Sequence, residues 1–222
     1  TAGTYSITVN PAPATTFSQG NQVICTGQNT VLVNLSSTTT GATYSWNLQG
    51  TAPSGLVNLN PTSGTSSIPI FTNLTNNTSA PITVTLQAQA TTSGLAQCPG
   101  AVSNYTITIN PSPIASASFV SNDTVCSGQN INIALNSTSS GTTFTWTAAN
   151  GTGVSGGQNS VTASPSINQA LTNNSSSVGS VTYTITPIAS SCAGSPLQVL
   201  AYVNPVVTLA ALASPTVCPG TT

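Results

Sequence analysis

Apolar and polar residues alternate with a period of two along much of this chain. Tyr105, Ile107 and Ile109 alternate with Thr106, Thr108 and Asn110. Ile131, Ile133 and Leu135 alternate with Asn132, Ala134 and Asn136, and Val181, Tyr183 and Ile185 with Thr182, Thr184 and Thr186. This pattern predicts half-buried antiparallel strands with an outward face of Thr and Asn. Clusters such as Asn150-Gly151 and Gly156-Gly157 interrupt the runs about every ten residues, where turns belong. No segment carries a helical period, so the chain is expected to be all-β.

The strand pattern repeats. Tyr5-Ser-Ile-Thr-Val-Asn-Pro11 returns as Tyr105-Thr-Ile-Thr-Ile-Asn-Pro111, and Tyr44-Ser-Trp46 as Phe144-Thr-Trp146, both at an offset of 100. Cys25-Thr-Gly-Gln28 returns as Cys126-Ser-Gly-Gln129, and a further Asn-Pro stands at Asn204-Pro205. Trp46 to Cys98 is 52 positions but Trp146 to Cys192 is 46, which places the shortening of the second copy between those two marks. The expected organisation is a last strand of a preceding repeat at 1–10, repeats at 11–110 and 111–204, and the start of a following repeat at 205–222. Each repeat offers roughly seven strands around one central Trp, the pattern of an immunoglobulin-like antiparallel β-sandwich, with Trp46 and Trp146 as core residues.

Composition narrows what such sandwiches can do. Among the 222 residues there is no Lys, Arg or His, and Asp123 is the one acidic side chain. General acid–base catalysis needs groups that titrate near working pH, so no catalytic residue is expected and the chain is read as a non-enzyme. Phosphate neutralisation needs Lys or Arg, which excludes nucleic acid as a partner. Metal cages need several carboxylates, imidazoles or thiolates, so neither metal nor cofactor is expected. At 38% hydrophobic residues and a formal charge of −1, the chain can bury a core and lacks the signature of disorder. No apolar stretch approaches the ~20 residues of a membrane span, so no membrane insertion is expected. With neither an initiator Met nor a basic leader, the chain reads as a mature fragment. Five cysteines without His or acidic co-ligands point to disulfides and an oxidising, extracellular location.

With these marks in place the chain resembles the PKD-like repeats of large cell-surface adhesins from Bacteroidota, the gliding-motility adhesins among them. The resemblance rests on Cys-x-Gly-Gln before the second strand (Cys25 to Gln28, Cys126 to Gln129) and on the aromatic-x-Trp. It also rests on a second Cys-x-Gly (Cys98-Pro-Gly100, Cys192-Ala-Gly194) and on the closing Asn-Pro-x-Pro (Asn110 to Pro113). The better-known PKD pattern has an acidic Gly-Asp-Gly after the Trp; here that stretch is Gln49-Gly50 or Asn150-Gly151. The resemblance implies tandem PKD-like sandwiches arranged as beads in an extended array, exported by the type IX secretion system to the cell surface. It implies a stalk or adhesive role, with neighbouring repeats of the same chain and other copies in a filament as partners. The alternative is a polysaccharide-binding module, for which Tyr202, outward on its strand, is the candidate aromatic platform.

Three further features have a plain and a sharp reading. Asp123 suits a turn that caps a backbone N–H, while Asp123-Thr124-Val125 also resembles the Bacteroidota O-glycosylation motif, with Thr124 as acceptor. Asn-x-Ser/Thr triplets at Asn34, Asn73, Asn104, Asn136 and Asn150 are what a chain so rich in these residues produces by chance. The Thr-x-Thr pairs evoke ice-binding ranks, but outward Thr is also the ordinary choice for an exposed strand face.

The cysteines allow two pairings. Cys25–Cys98 and Cys126–Cys192 would staple each repeat internally, each worth about 4 kcal/mol, and this is the preferred scheme. The objection is that a sandwich places the two cysteines of one repeat at opposite ends. Cys25–Cys192 would instead tie neighbours together and direct Cys98 and Cys126 to repeats elsewhere. Cys218 has no mate in the sequence under the internal scheme and is expected to pair outside it.

Overall fold

The computed structural model describes residues 3–7, 9–94 and 97–207. They form strands and loops without a helix, in two compact units. The first unit takes in the chain up to Ala115 together with Ser137–Thr143 and Pro187–Ser195. The second holds Ser116–Asn136, Phe144–Thr186 and, of the described residues, 196–207.

Ten strands build the first repeat: β1 (Thr16–Phe17), β2 (Gln22–Cys25), β3 (Val33–Ser36), β4 (Thr43–Leu48), β5 (Leu56–Val57), β6 (Ser63–Thr65), β7 (Ser67–Ile68), β8 (Thr75–Asn76), β9 (Ile82–Thr91) and β10 (Ser103–Asn110). One sheet has the order β2-β10-β9-β4-β6, the other β1-β3-β7, and β5 pairs with β8. All pairings among these strands are antiparallel except that of β2 with β10, which run parallel with Cys25 opposite Asn110. The period-two pattern is realised along β10, where Tyr105, Ile107 and Ile109 are buried and Thr106 and Thr108 face outward. Opposite them Val33, Leu35 and Ile68 come from the smaller sheet, and the two inner faces close one core. Trp46 lies in that core edge-on to Phe71, ring centroids 6.4 Å apart, its indole N–H donating to the Ser67 carbonyl at 2.8 Å. A buried indole needs such an acceptor.

The second repeat follows the same plan with β11 (Ala115–Phe119), β12 (Thr124–Cys126), β13 (Asn130–Ser137), β14 (Thr143–Asn150), β15 (Val154–Ser155), β16 (Ser166–Ala170), β17 (Thr172–Asn173), β18 (Gly179–Ala189), β19 (Cys192–Ala193) and β20 (Leu197–Asn204). Its sheets are β12-β20-β18-β14, with β19 beside β18, and β11-β13-β16. Trp146 is buried and donates to the Gln158 carbonyl at 3.1 Å. Part of the shortening read between Trp and second Cys lies between Trp146 and Asn173, 27 positions against 30 from Trp46 to Asn76, and the rest between Asn173 and Cys192. In the first repeat β6 pairs with β4 as a true strand. In the second, Ser160 and Asn159 cap the edge of β14 with side chains, accepting from the N–H groups of Trp146 (2.9 Å) and Ala148 (2.8 Å).

The glycine of Cys-x-Gly-Gln has a local cause. Gly27 and Gly128 adopt φ of 81° and 86°, a left-handed conformation that costs glycine little. The turn lets Gln28 donate its N–H to the Cys25 carbonyl at 3.1 Å and accept the Cys25 N–H on its side chain at 2.9 Å.

Two tyrosines link the cores to pH. Burial pushes the Tyr183 phenol up to about 12, its hydroxyl donating to Gln169 Oε1 at 2.9 Å. Burial also raises Tyr105, partly offset by the bond it accepts from Gln22 Nε2 at 2.8 Å. An unfolded tyrosine ionises near pH 10, so between about 10 and 12 the unfolded chain holds fewer protons than the folded one. Stability from these groups is therefore complete below about pH 9 and is lost as pH rises through that window. Urea midpoints measured from pH 8 to 12 should fall only above 10, together with phenolate absorbance; a midpoint independent of pH throughout would refute the assignment.

Candidate functional site

The chain's functional groups are hydroxyls, amides, aromatic rings, thiols and the one carboxylate of Asp123, and the thiols have the most specific geometry. Within the first unit, β2 ends at Cys25 beside the end of β10, and the Thr26 N–H donates to the Asn110 carbonyl at 2.8 Å. The chain then runs through Pro111, Ser112 and Pro113, onto which the Ser190–Gly194 loop folds. Asn110 Nδ2 donates to the Ser190 carbonyl and Ser112 Oγ to the Ala193 carbonyl, both at 3.3 Å. Gly194 lies so close to Pro113 that an added Cβ would fall 1.8 Å from its carbonyl oxygen. That approach seats Cys192 against Cys25, and the two form a disulfide with Cα atoms 5.6 Å apart.

Cys25 is therefore bonded to Cys192 and not to Cys98, and neither internal staple forms. The cause is strand geometry. Cys98 lies beside Thr91 and Thr92, where β9 ends and β10 has yet to begin, whereas Cys25 sits where β10 ends. The 8 residues of β10 span about 26 Å at ~3.3 Å each, and a disulfide needs Cα atoms within about 7 Å. Cys98, half-buried, and Cys126, exposed, are free thiols. Cys218 lies outside the described residues.

Substituting Gly194→Ala should prop the Cys192 loop off Pro113. Oxidative refolding of this variant is expected to leave Cys25 and Cys192 open to alkylation in most molecules, while the unsubstituted chain protects both. Protection equal to that of the unsubstituted chain would show that the close approach is not required.

The other candidates fall at separate places. Asp123 is exposed in front of β12; its carboxylate accepts the Thr124 hydroxyl at 3.0 Å, and its carbonyl accepts the Tyr202 N–H at 2.7 Å. Tyr202 is exposed on β20, in register with Thr124. In the first unit a groove of about 610 Å³ is lined by Tyr44, Thr43, Ser45, Thr65, Thr91 and Gln97 among others. Tyr44 is partly exposed there, whereas Phe144, its counterpart, is buried. Outward Thr83 and Thr108 join hydroxyls at 3.0 Å across β9 and β10. Among the described residues no three His, Cys, Asp or Glu side chains gather where a metal ion could be held.

Sequence reasoning passed over Asn76 and Asn173. Both are buried and bolt a loop onto the last strand of their repeat. Asn76 Nδ2 donates to the Ala80 and Ile109 carbonyls, both at 2.8 Å, and its Oδ1 accepts the N–H and hydroxyl of Thr78. Asn173 makes the same four bonds, to Ser177, Val203 and Ser175. The signal was present as Asn76-Asn-Thr78 and Asn173-Asn-Ser175, which look like two more chance glycosylation triplets.

A family profile described as PKD-like domain matches residues 22–113 and 123–207. No curated protein matches the chain. Solved structures similar to it include titin domains I67–I69 in an E-to-A variant, at 10% identity, covering 88% of this chain and 66% of that one, with a TM-score of 0.46. Extracellular domains 3–5 of Drosophila OTK are 12% identical, with 87% and 62% covered and a TM-score of 0.42. The fibronectin(III)-like modules of Clostridium thermocellum CbhA are 10% identical, with 86% and 95% covered and a TM-score of 0.32. The chain thus spans just under two thirds of the titin fragment.

Proposed function

The chain belongs to the PKD-like domain family, and from that premise we propose that it is a non-catalytic structural and adhesive segment of a large extracellular protein. The observation that carries this reading is the Cys25–Cys192 bond, which ties the end of β2 in one repeat to the segment between β18 and β20 in the next. A covalent tie of this kind suits a chain that must keep its repeats in order under tension, and it persists only in an oxidising compartment. The outward Thr, Asn and Gln side chains of β9, β10 and β18 support contact by hydrogen bonds that salt and moderate pH leave unchanged. The finer reading is a surface filament of a Bacteroidota cell, exported by the type IX system and used in attachment or gliding, with Thr124 carrying a glycan. Antibodies to this chain should label intact, unpermeabilised cells along extended appendages in immunogold micrographs. Labelling only after permeabilisation, or only compact globules, would refute it. The mass of the Thr124 peptide from the native protein tests the glycan.

The Tyr44 groove favours a second reading, in which the first repeat holds a neutral polysaccharide. Its wall combines one partly exposed ring with hydroxyls and an amide, which suits sugar hydroxyls and apolar sugar faces. A glycan array that reports binding lost on Tyr44→Ala supports this reading; an array at background removes it.

A further inference from the structure

The bonded pair consists of two different half-sites. One is an opening cysteine, Cys25, in register with the Asn of the closing Asn-Pro, whose carbonyl accepts the next N–H. The other is a Cys-x-Gly loop, Cys192 to Gly194, pressed onto the second Pro of the same linker. Among the described residues each half-site occurs once more, without its mate. Cys126 stands opposite Asn204 on β20, and the Ser127 N–H donates to the Asn204 carbonyl at 3.1 Å, ahead of Pro205. At the other half-site Gly100 presses onto Pro13, where an added Cβ would fall 1.7 Å from the carbonyl oxygen, as Gly194 does on Pro113.

Exposure follows the same division. Cys192 is buried and Cys25 half-buried, whereas the matching Cys98 is half-buried and Cys126 exposed. Asn110 and Pro111 are buried, and the matching Asn10 and Pro11 are exposed. A cleft of about 170 Å³ lies between Asn10, Pro11 and Thr39, Thr40, Thr92, Ser93. Another of about 330 Å³ is lined by Asn173, Asn174, Ser175, Ser176 and Val206, and Ser127, next to Cys126, hydrogen-bonds Asn173 beside it.

We propose that Cys98 and Cys126 are complementary halves of further bonds of the Cys25–Cys192 kind, each taking one more PKD-like repeat as partner. Cys126 takes the Cys-x-Gly loop of one such repeat, and Cys98 takes the opening cysteine of another. An opening cysteine pairs with a closing one and never with its own kind, so the assembly is head-to-tail and open-ended. Each bond joins two thiols into one disulfide. The two protons and two electrons released pass to a disulfide oxidant, such as oxidised glutathione, which leaves as two thiols. The inference rests on reading the chain as a repeat array. Its failure would leave that reading standing, because surface labelling and filament images do not depend on these thiols.

The test uses the full chain carrying Cys218→Ser, concentrated in a glutathione redox buffer and mapped by mass spectrometry without reduction. Expected are linked oligomers in which Cys126 of one copy is bonded to Cys98 of another. Cys98→Ser and Cys126→Ser should each remain monomeric, and their mixture should give dimers only. A second form, with residues 111–204 duplicated in tandem, should bond Cys126 to the duplicate's counterpart of Cys192. Pairs of Cys98 with Cys98 or Cys126 with Cys126 would overturn the proposal. So would thiols that stay free in both experiments.

Discussion

Replacing Cys25 or Cys192 by serine is expected to remove about 5 kcal/mol from the stability of the chain against complete unfolding. The bond closes a sequence separation of 167 residues, and in the chain-entropy account a loop of that size restricts the unfolded chain by about that amount. The loss applies in full only when everything between the cysteines unravels, so complete denaturation is the proper readout. Guanidinium titrations with and without a phosphine reductant should differ strongly in midpoint for the unsubstituted chain and hardly at all for Cys25→Ser. Cys98→Ser serves as the control and should keep the oxidised midpoint. Identical curves with and without reductant would mean that the bond does not form in solution.

Asn76→Ala and Asn173→Ala should each destabilise their own repeat by about 3 kcal/mol. Truncation takes the amide donor from the buried Ile109 carbonyl and one of two donors from the Ala80 carbonyl, which keeps the Thr78 hydroxyl, and it leaves the Thr78 N–H without its acceptor; each such loss costs on the order of 1 kcal/mol. For a domain of about 95 residues this corresponds to a fall in melting temperature on the order of 15 °C. Asn76→Asp sharpens the test. The carboxylate can still accept from Thr78, but an oxygen now faces the Ile109 and Ala80 carbonyls. Its destabilisation at neutral pH should match or exceed that of Ala and ease as acid restores a proton to donate. If both variants melted within two or three degrees of the parent, the amide would not be the bolt its geometry describes.

The same residues show how far the sequence could be read. Asn76 and Asn173 occur in triplets that a Ser-, Thr- and Asn-rich chain generates freely, and their role appears only when a loop folds back onto Ile109 or Val203. Tyr44 and Phe144 are alike as the aromatic before Trp, yet one lines a groove and the other is buried, which depends on the neighbouring loops. Asp123, read as a cap for a backbone N–H, instead binds its neighbour's hydroxyl.

By itself the sequence determined the all-β class, the tandem repeats, the inward face of each long strand and the two buried tryptophans. These follow from a period of two and a fixed spacing, which are local properties of the chain. It also gives the chain's chemical inventory, with no Lys, Arg or His and a single carboxylate, Asp123. The partner of each cysteine was decided only by the tertiary structure. Pairing depends on which end of β10 each thiol reaches and on how closely Gly194 approaches Pro113, and those distances arise from register and packing between segments far apart in sequence.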